Sequence, residues 1–476
     1  MDVIAHVDSL PASIHEPGGC LPIDGPGMEE LLSSLPAQST RRSPGGSASN
    51  VARGVAELLS RLASGHGPSA GSPISEDIRV QFIGMVGDDE TAAEYEAALV
   101  RRGVAPRLLR AGGGAGAAAK GGGEDRGDYE DGGGGGGEGG AGGGGASAPS
   151  PSPPLTTATC LCLVTPGGQR TMRTCLGAAS LLKTERQLPA GWSEGAAAVH
   201  VEGYALWREG LAAGAMEAAA AAATPAPSSA SSSSPASPAP AVITSIDCAS
   251  FEVVRARRGE LEALLATGRV DVLFCNEEEA AALAEGGAEG GSAGGDEEGD
   301  GDEGSPVVSR ALRRALGLGA RVAVASLGPA GARAMAKRRR RRDSGGEEKG
   351  GAEEKGDDHF SFCSYWCPAE VVESVEDTVG AGDAFAAGFL TSLLLSGNSS
   401  SSSSKSGGSR GSGAEEGEQL SLLERGEVLE AALRLGCAAG AAAVRASGAD
   451  PGKQAWDAVA AKVHKERERE RELALA

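Results

Sequence analysis

Short apolar runs alternate with helical patterns along much of the chain. The runs lie at 80–86, 197–201, 242–247, 270–275 and 321–326, and helical spacing follows two of them, at 90–102 and 277–284. Short apolar strands that alternate with helices indicate an α/β fold, with a mainly parallel sheet and helices on both faces. Ligands of such folds bind at the carboxyl ends of the strands, and the polar motifs of this chain fall at those ends.

Five stretches contain too few large apolar residues to form a core. They are rich in Gly, Ser, Pro, Ala or charged residues and lie at 111–154, 217–240, 285–305, 338–358 and 397–417. We expect them to be disordered, low-complexity loop inserts, because the cost of closing a loop grows slowly with its length. The 476 residues are therefore predicted to form one domain over 1–460, followed by a charged tail over 461–476.

Charge and cysteine usage narrow the possible functions. A net charge of −21 disfavours nucleic acid as a partner, because the chain would repel phosphates at long range. Nine cysteines without a CxxC pair indicate reduced thiols in an intracellular, cytoplasmic protein, although an organelle stays open. No run of 18 apolar residues occurs, so we expect no membrane span, and no GxxxxGK[ST] loop is present.

The strongest chemical motif lies at 377–389, where Gly380, Ala381 and Gly382 precede an apolar helix predicted to end near Leu395. The first N–H groups of a helix lack partners and carry partial positive charge, so they can hold an anion that glycines allow to come close. Asp383 would face the same anion and could accept a proton from an attacking hydroxyl. This combination predicts phosphoryl transfer with Asp383 as the general base. The alternative is a capped helix after a glycine-rich loop.

The string Asp-Thr-x-Gly-Ala-Gly-Asp at 377–383 resembles the second signature of the PfkB/ribokinase family of carbohydrate and nucleoside kinases. Segments at 45–50, 82–89, 276–279 and 326–331 resemble further family motifs, in the same order along the chain. The resemblance implies a ribokinase-like, doubly wound fold with a small β lid, and ATP and Mg²⁺ as cofactors. Activation by a monovalent cation is common in the family, and the sequence does not decide it.

The resemblance also assigns roles to individual residues. Asp383 matches the base, and Gly380, Ala381 and Gly382 match the anion hole. The residues that match the acceptor site are Asp2, Gly45, Gly46 and Asn50. Those that match the ATP site are Asn276, Glu279, Ser326, Gly328, Gly331, Asp377 and Thr378. Glu279 would hold Mg²⁺ through water. Plain structural alternatives are a helix cap at Asn276 and Glu279, and turns at the Gly45 and Gly328 segments.

The segment at 160–179 is predicted to be a strand, a turn and a second strand, and it resembles the lid of adenosine-kinase-like members. Arg170 matches an Arg that reaches the transferred phosphate, with a solvated hairpin as the alternative. We therefore favour ATP-dependent phosphorylation of a primary hydroxyl of a purine nucleoside such as adenosine, by a monomer or homodimer. A ribose- or fructose-type sugar kinase and a catalytically silent structural subunit are the alternatives.

The N-terminal segment at 2–8 resembles the residues just after the family's first strand. We therefore expect that strand to belong upstream of Met1, and the single domain to lack it.

Overall fold

The computed structural model describes residues 1–15, 17–36, 40–64, 78–111, 155–166, 170–222, 242–285, 305–339, 360–402 and 421–475. The strands are β1 Asp2–His6, β2 Cys20–Pro22, β3 Thr40–Ser43, β4 Val80–Val86, β5 Val104–Arg110, β6 Thr159–Val164, β7 Arg170–Cys175, β8 Ala198–Glu202, β9 Ile243–Asp247, β10 Val272–Asn276, β11 Val322–Ser326, β12 Ala332–Arg339 and β13 Phe360–Cys367. The α-helices are α1 Gly25–Ser34, α2 Ser47–Ser64, α3 Glu90–Arg101, α4 Leu211–Ala222, α5 Phe251–Ala256, α6 Arg258–Ala266, α7 Glu277–Ala284, α8 Pro306–Leu318, α9 Ala381–Ser402, α10 Gly426–Ala443 and α11 Lys453–Leu475.

The main sheet has six strands in the order β13-β12-β11-β10-β9-β8. Strands β8 to β11 pair in parallel, whereas β12 and β13 are antiparallel at one edge. Alternate residues of β10 enter two separate cores, Val272 and Phe274 on one face and Leu273 and Cys275 on the other. Helices α2, α9 and α10 cover the first face and α5 to α8 cover the second. The predicted mainly parallel sheet with helices on both faces is therefore confirmed.

A second, parallel sheet contains only β4 and β5, and α3 packs beside it. Helix α2 contacts both β4 and β8 and so lies against a strand of each of the two sheets. In the described part of the chain, β4 and β8 each have one edge without a strand partner. The strand expected upstream of Met1 stays a prediction.

The predicted lid is a five-stranded sheet in the order β2-β7-β6-β1-β3. Strands β6 and β7 form the predicted antiparallel hairpin, whose turn residues 167–169 lie outside the described residues. On one face of the sheet, Val3, Ala5 and Leu161 pack against Met28 and Leu31 of α1. Because side chains alternate along a strand, the opposite face carries Asp2, whose carboxylate lies against Gly45 and within electrostatic reach of Asp383.

Three predicted boundaries differ from the structure. Helix α4 continues to Ala222 and α9 continues to Ser402, past the end predicted at Leu395, so 217–222 and 397–402 are helical rather than parts of inserts. Alanine favours helix, and an established helix extends readily by one hydrogen bond per residue. Strand β12 runs to Arg339 because β13 pairs with it to that point. The remaining insert residues lie almost entirely outside the described ranges.

The charged tail at 461–475 forms the last part of α11. Among the described residues, no helix is both long enough and apolar enough to cross a membrane.

Candidate active site

The predicted anion hole lies at the start of α9. Gly380 has φ +71°, and a Cβ there would lie 2.6 Å from the Cβ of Ala449, so this turn requires glycine. At Gly382, by contrast, a Cβ would have no neighbour within 4 Å. The first turn of the helix therefore has open space beside its N–H groups, and an anion can approach them there.

Asp383 lies in this first turn and is held through both carboxylate oxygens. Its Oδ1 accepts a hydrogen bond from the Ser47 hydroxyl at 2.6 Å, and its Oδ2 accepts one from the Asn50 amide at 2.7 Å. Burial, followed by the charge of Glu202, raises the pKa of Asp383 to about 6, although the two hydrogen bonds act in the opposite direction. Near neutral pH the carboxylate is thus ionised but more basic than usual, which suits a general base.

The predicted acceptor residues come together beside Asp383. A Cβ at Gly45 would overlap the carboxylate of Asp2, so only glycine allows this strand of the lid to lie so close. Gly46 has φ +90°, and its carbonyl accepts the N–H of Asn50 at 3.0 Å. Burial raises the pKa of Asp2, against the charges of the N-terminal amine and Arg53. The half-buried Asp2 and the buried Asn50 therefore provide polar groups next to the carboxylate of Asp383.

Two side chains that the sequence analysis did not single out fix this corner. Arg53 donates to the Pro44 carbonyl at 2.9 Å and to the Asn50 Oδ1. The Tyr95 hydroxyl donates to the Gly45 carbonyl at 3.1 Å, and burial raises the pKa of Tyr95 to about 12. The backbone on which the acceptor residues stand is thus held by buried hydrogen bonds rather than by loop packing alone.

Asn276 and Glu279 form a helix cap at the start of α7. The Asn276 Oδ1 accepts the N–H of Glu279 at 2.9 Å, and the Asn276 Nδ2 donates to the Glu279 carboxylate at 2.8 Å. The structural alternative considered for this pair is therefore correct. It leaves a functional role open, because burial also raises the pKa of Glu279 to about 7, aided by the charges of Glu202, Glu278 and Glu252.

Two more carboxylates end strands on the same side of the sheet. Glu202 ends β8 and Asp247 ends β9. The pKa of Asp247 is raised by burial first and then by Glu202, Glu279 and Asp383, so these four acids lie within electrostatic reach of one another. The Glu202 Oε2 is buried and has no hydrogen-bond partner in the described structure.

The predicted nucleotide loop follows β11. Gly328 and Gly331 have φ of +53° and +94°, and a Cβ at Gly331 would overlap the carbonyl of Cys367 on β13. The indole N–H of Trp366, a side chain that is 58% exposed, donates to the Ala330 carbonyl at 3.2 Å. The loop leads into the antiparallel strand β12, so the alternative of an ordinary strand-to-helix turn is wrong. Ser326, the last residue of β11, stands at the entrance of this loop.

The lid contacts the anion-hole segment through Arg170. Its guanidinium pairs with Asp377 and donates to the Thr378 hydroxyl at 3.1 Å. Asp377 also accepts the N–H groups of Val379 at 2.9 Å and Gly448 at 2.7 Å. The alternative of a solvated hairpin is therefore wrong for Arg170, and its predicted contact with a transferred phosphate stays a prediction.

Besides Arg53 and Tyr95, sequence analysis missed three further members of the site, Ser47, Glu202 and Asp247. Ser47 lies one helical turn before Asn50, so a search for polar residues on that face of α2 would have found it. Glu202 and Asp247 end buried parallel strands, where the carboxyl-end rule directs attention. In the sequence, each of these two is a single acidic residue after an apolar run. Such a pattern does not indicate a functional site unless the neighbouring strands are known.

The chain is similar to known kinases. The family model for pfkB family carbohydrate kinase matches residues 28–119 and 361–456. The solved adenosine kinase from Sinorhizobium meliloti is 21% identical, with a TM-score of 0.56, over 98% of this chain and 96% of that chain. A probable sugar kinase from Rhizobium etli CFN 42 is 19% identical, with a TM-score of 0.58, over 96% and 94%. Ribokinase from Giardia lamblia is 16% identical, with a TM-score of 0.55, over 97% and 96%.

A search of curated proteins returned no match. At sequence identities this low, the similarity to these structures shows a shared fold. It confirms the ribokinase-like architecture predicted from the sequence. The family match is independent of them, and its two segments contain the Gly45–Asn50 motif and the Asp377–Asp383 motif. The resemblance to pfkB family carbohydrate kinases that was stated from those motifs is therefore confirmed, and the two matched segments support a kinase.

Proposed function

We propose that the chain transfers the γ-phosphate of ATP to a primary hydroxyl of an adenosine-like nucleoside, with Asp383 as the general base. The observation that carries this proposal is the position of Asp383. It belongs to the first turn of α9, and its carboxylate accepts hydrogen bonds from Ser47 and Asn50 on the acceptor side. In this proposal the Asp383 carboxylate lies between the γ-phosphate of ATP, which is attacked, and the acceptor hydroxyl, which attacks it.

The chemistry assigned to this corner needs little movement of charge. Asp383 takes the proton from the acceptor hydroxyl as the hydroxyl oxygen attacks the γ-phosphorus, and the bond from the γ-phosphorus to the β,γ-bridging oxygen breaks so that ADP leaves with that electron pair. The N–H groups of Gly380, Ala381 and Gly382 and the dipole of α9 stabilise the negative charge on the transferring phosphoryl oxygens. Arg170, which stands next to Asp377 and Thr378, adds a fixed positive charge at the lid side of the same segment.

The inner face of the lid supports a nucleoside over a free sugar. Ile4, Cys162 and Met172 share this face with Asp2, because they occupy neighbouring register positions on β1, β6 and β7. Ile4 and Cys162 are buried, so of these three the partly accessible Met172 would contact a flat aromatic base, which its sulfur does favourably. The polar groups of Asp2 and Asn50 then remain for the ribose hydroxyls.

The carboxylates at the strand ends fit a site for Mg²⁺. The unpartnered, buried Glu202 Oε2 and the raised pKa values of Asp247 and Glu279 indicate negative charge that a cation would compensate. Among the described residues, no three His, Cys, Asp or Glu side chains are arranged to hold a metal ion directly. Asn276 and Glu279 would therefore hold Mg²⁺ through water, and the ion would neutralise phosphate charge.

The ATP site is assigned to the loops at the same end of the sheet. Ser326, Gly328 and Gly331 would lie against the nucleotide, because the loop is open on the side away from β13. Asp377 and Thr378 would lie beside the phosphates, next to the anion hole. In this proposal the acceptor and the ATP donor bind on opposite sides of Asp383.

The test is phosphate transfer from labelled ATP to adenosine, guanosine, inosine, ribose and fructose, compared by kcat/KM. Adenosine is expected to be preferred. A preference for ribose or fructose would replace the nucleoside with the sugar alternative of the same family. Absence of transfer to every acceptor, with ATP still bound, would favour a silent structural subunit and contradict the proposal.

A further inference from the structure

The amide of Asn50 is held from two sides by groups of opposite hydrogen-bonding character. Its Nδ2 donates to the Asp383 Oδ2 at 2.7 Å, and its Oδ1 accepts from a terminal nitrogen of Arg53. A guanidinium has no acceptor atom, and an ionised carboxylate has no donor. Both neighbours therefore require the same orientation of the amide, with its NH₂ group toward Asp383.

The guanidinium of Arg53 is itself fixed in three directions. Its Nε donates to the Ser49 carbonyl at 3.4 Å, and the nitrogen that contacts Asn50 also donates to the Pro44 carbonyl at 2.9 Å. The other terminal nitrogen lies 3.8 Å from the Asp450 carboxylate. Because the guanidinium is planar and rigid, these contacts together aim one of its donors at the amide oxygen.

The charge of Arg53 lies inside the protein. The residue is buried, and burial lowers its pKa, with the charge of Asp450 as the main opposing effect. Asp450 also pairs with Arg102 of α3, so two arginines share its carboxylate. A buried ion pair of this kind is weak evidence for a gain in stability. The hydrogen bonds of Arg53 to the acceptor residues are a more specific indication of its role.

The residue that anchors Arg53 belongs to a segment that also contacts the anion hole. The N–H of Gly448 donates to the Asp377 carboxylate at 2.7 Å. A Cβ at Gly380 would lie 2.6 Å from the Cβ of Ala449, the residue before Asp450. The same short segment therefore fixes the start of α9 and, through Arg53, the amide of Asn50.

We propose that Arg53 is a positioning residue for phosphoryl transfer. It holds the Asn50 amide with its NH₂ group toward Asp383, and that hydrogen bond keeps the base ionised and in place. The orientation of the amide stands on the hydrogen bonds alone, whereas its effect on turnover rests on the proposed function.

Loss of Arg53 should weaken the hydrogen bond between Asn50 and the base. Without its partner, the amide can rotate about its last side-chain bond, which has a broad energy profile. Burial and the charge of Glu202 raise the pKa of Asp383 to about 6, and the hydrogen bonds from Ser47 and Asn50 oppose this rise. When the Asn50 bond is lost, the pKa of Asp383 should therefore rise further.

Other groups also face Asp383, and their effects have to be separated from that of the amide. They are Ser47 of α2, Glu202 of β8, Asp247 of β9 and Asp2 of the lid. Arg53 lies within electrostatic reach of Asp2. Removal of its charge could thus act on Asp383 without any movement of the amide, and the experiment must distinguish the two routes.

The test is a ¹³C NMR titration of the whole chain with carboxyl-labelled aspartate, in which the Asp383 signal is identified by its absence from Asp383→Asn. Arg53→Met should raise the Asp383 midpoint by roughly half to one pH unit, the effect of one hydrogen bond. The matched control is Arg314→Met, at a partly buried arginine of α8 that pairs with Glu262 of α6. It should leave the midpoint unchanged.

A double-mutant cycle separates the amide from the charge. Asn50→Ala should raise the midpoint about as much as Arg53→Met does, and Arg53→Met should add almost nothing once Asn50 is replaced. An unchanged midpoint in Arg53→Met, or an undiminished further shift in the Asn50→Ala background, would overturn the proposal. If Arg53→Met does not fold, Arg53→Lys takes its place with a smaller shift in the same direction, because an ammonium group lacks the planar fork.

Turnover gives a second readout. Near pH 6, kcat of Arg53→Met should be about two- to fivefold below that of the unsubstituted chain, and the difference should shrink above about pH 8, where Asp383 is ionised in both. An equal loss of kcat at every pH would contradict the positioning role. If the unsubstituted chain transfers phosphate to no acceptor, the proposed function fails, and the NMR titration still decides whether Arg53 orients the amide.

Discussion

The two corners that meet at Asp383 are built in different ways. The phosphoryl corner is one continuous segment, 377–383, set at the start of a helix that packs extensively against α2 and α10. The acceptor corner is assembled from separate parts of the chain, with Asp2 on the lid and Gly45 and Asn50 before and within α2. The first depends on backbone geometry, whereas the second depends on side chains brought together by the fold.

This difference predicts that substitutions in the two corners have different effects. A change in the phosphoryl corner should alter the chemical step or the stability of α9. A change in the acceptor corner should alter acceptor use and leave ATP binding intact. Asp383 belongs to both corners, so its loss should have the largest effect.

Asp383→Asn should lower kcat by at least about 10²-fold, because the amide cannot accept the proton of the acceptor hydroxyl. ATP affinity should persist, since the glycine segment is unchanged. The matched control is Asp457→Asn, at an exposed carboxylate paired with Arg61 on the surface. Steady-state kinetics and equilibrium ATP binding give the two readouts, and full activity of Asp383→Asn would reject the assignment of the base.

Gly45→Ala should lower kcat/KM for the acceptor by about 10- to 100-fold, because a Cβ there displaces the carboxylate of Asp2 and small misplacements are costly in catalysis. The KM for ATP should stay unchanged. Gly25→Ala is the control, because a Cβ at that lid position meets nothing within 4 Å. An equal rise in both KM values would contradict the separation of the two corners.

Gly380→Ala should destabilise the protein by about 1–2 kcal/mol, because a non-glycine residue at φ +71° is strained and its Cβ contacts Ala449. Urea unfolding followed by circular dichroism measures this loss. Gly259→Ala in α6 is the control, and it should be neutral or stabilising, because it has open space and gains helix propensity. Equal stability of the two variants would show that the turn tolerates other backbone conformations.

The pH dependence of kcat should show the smallest of these effects. It reports on the pKa of Asp383, the residue that the two corners share. The base acts when it is deprotonated, so kcat should fall as the pH drops through the pKa of Asp383, about 6. Glu202→Gln removes a charge that raises this pKa, so the midpoint should move down. Ser47→Ala removes a hydrogen bond that lowers it, so the midpoint should move up. Movement of both midpoints in the same direction would contradict this electrostatic account.

The same comparison explains what could be predicted from the sequence. Strand β4 and helix α7 have the predicted bounds, and the other core strands shift by about a residue, because their apolar periodicity is local. The phosphoryl corner was equally predictable from the sequence, because its glycines and its acidic residue are adjacent in the chain. The lid hairpin followed from a strand, a turn and a strand within a short segment.

The remaining features depend on distant residues. Nothing in the local sequence indicates that Ser47 would donate to Asp383 or that Arg170 would pair with Asp377, because more than 200 residues separate each pair. Likewise, the raised pKa of Asp383 depends on burial and on Glu202, which reach it only in the folded chain. The extension of α9 to Ser402 was missed because serine and glycine there suggested an insert.

The central claim is transfer of phosphate to a nucleoside hydroxyl under the control of Asp383. The most direct measurement is ³¹P NMR of a mixture of the chain, adenosine, MgATP and buffer near neutral pH. The account predicts that ADP and a nucleoside 5′-monophosphate appear in equal amounts, and that Asp383→Asn suppresses both. ADP with free phosphate and no phosphorylated nucleoside, or equal product from the variant, would contradict it.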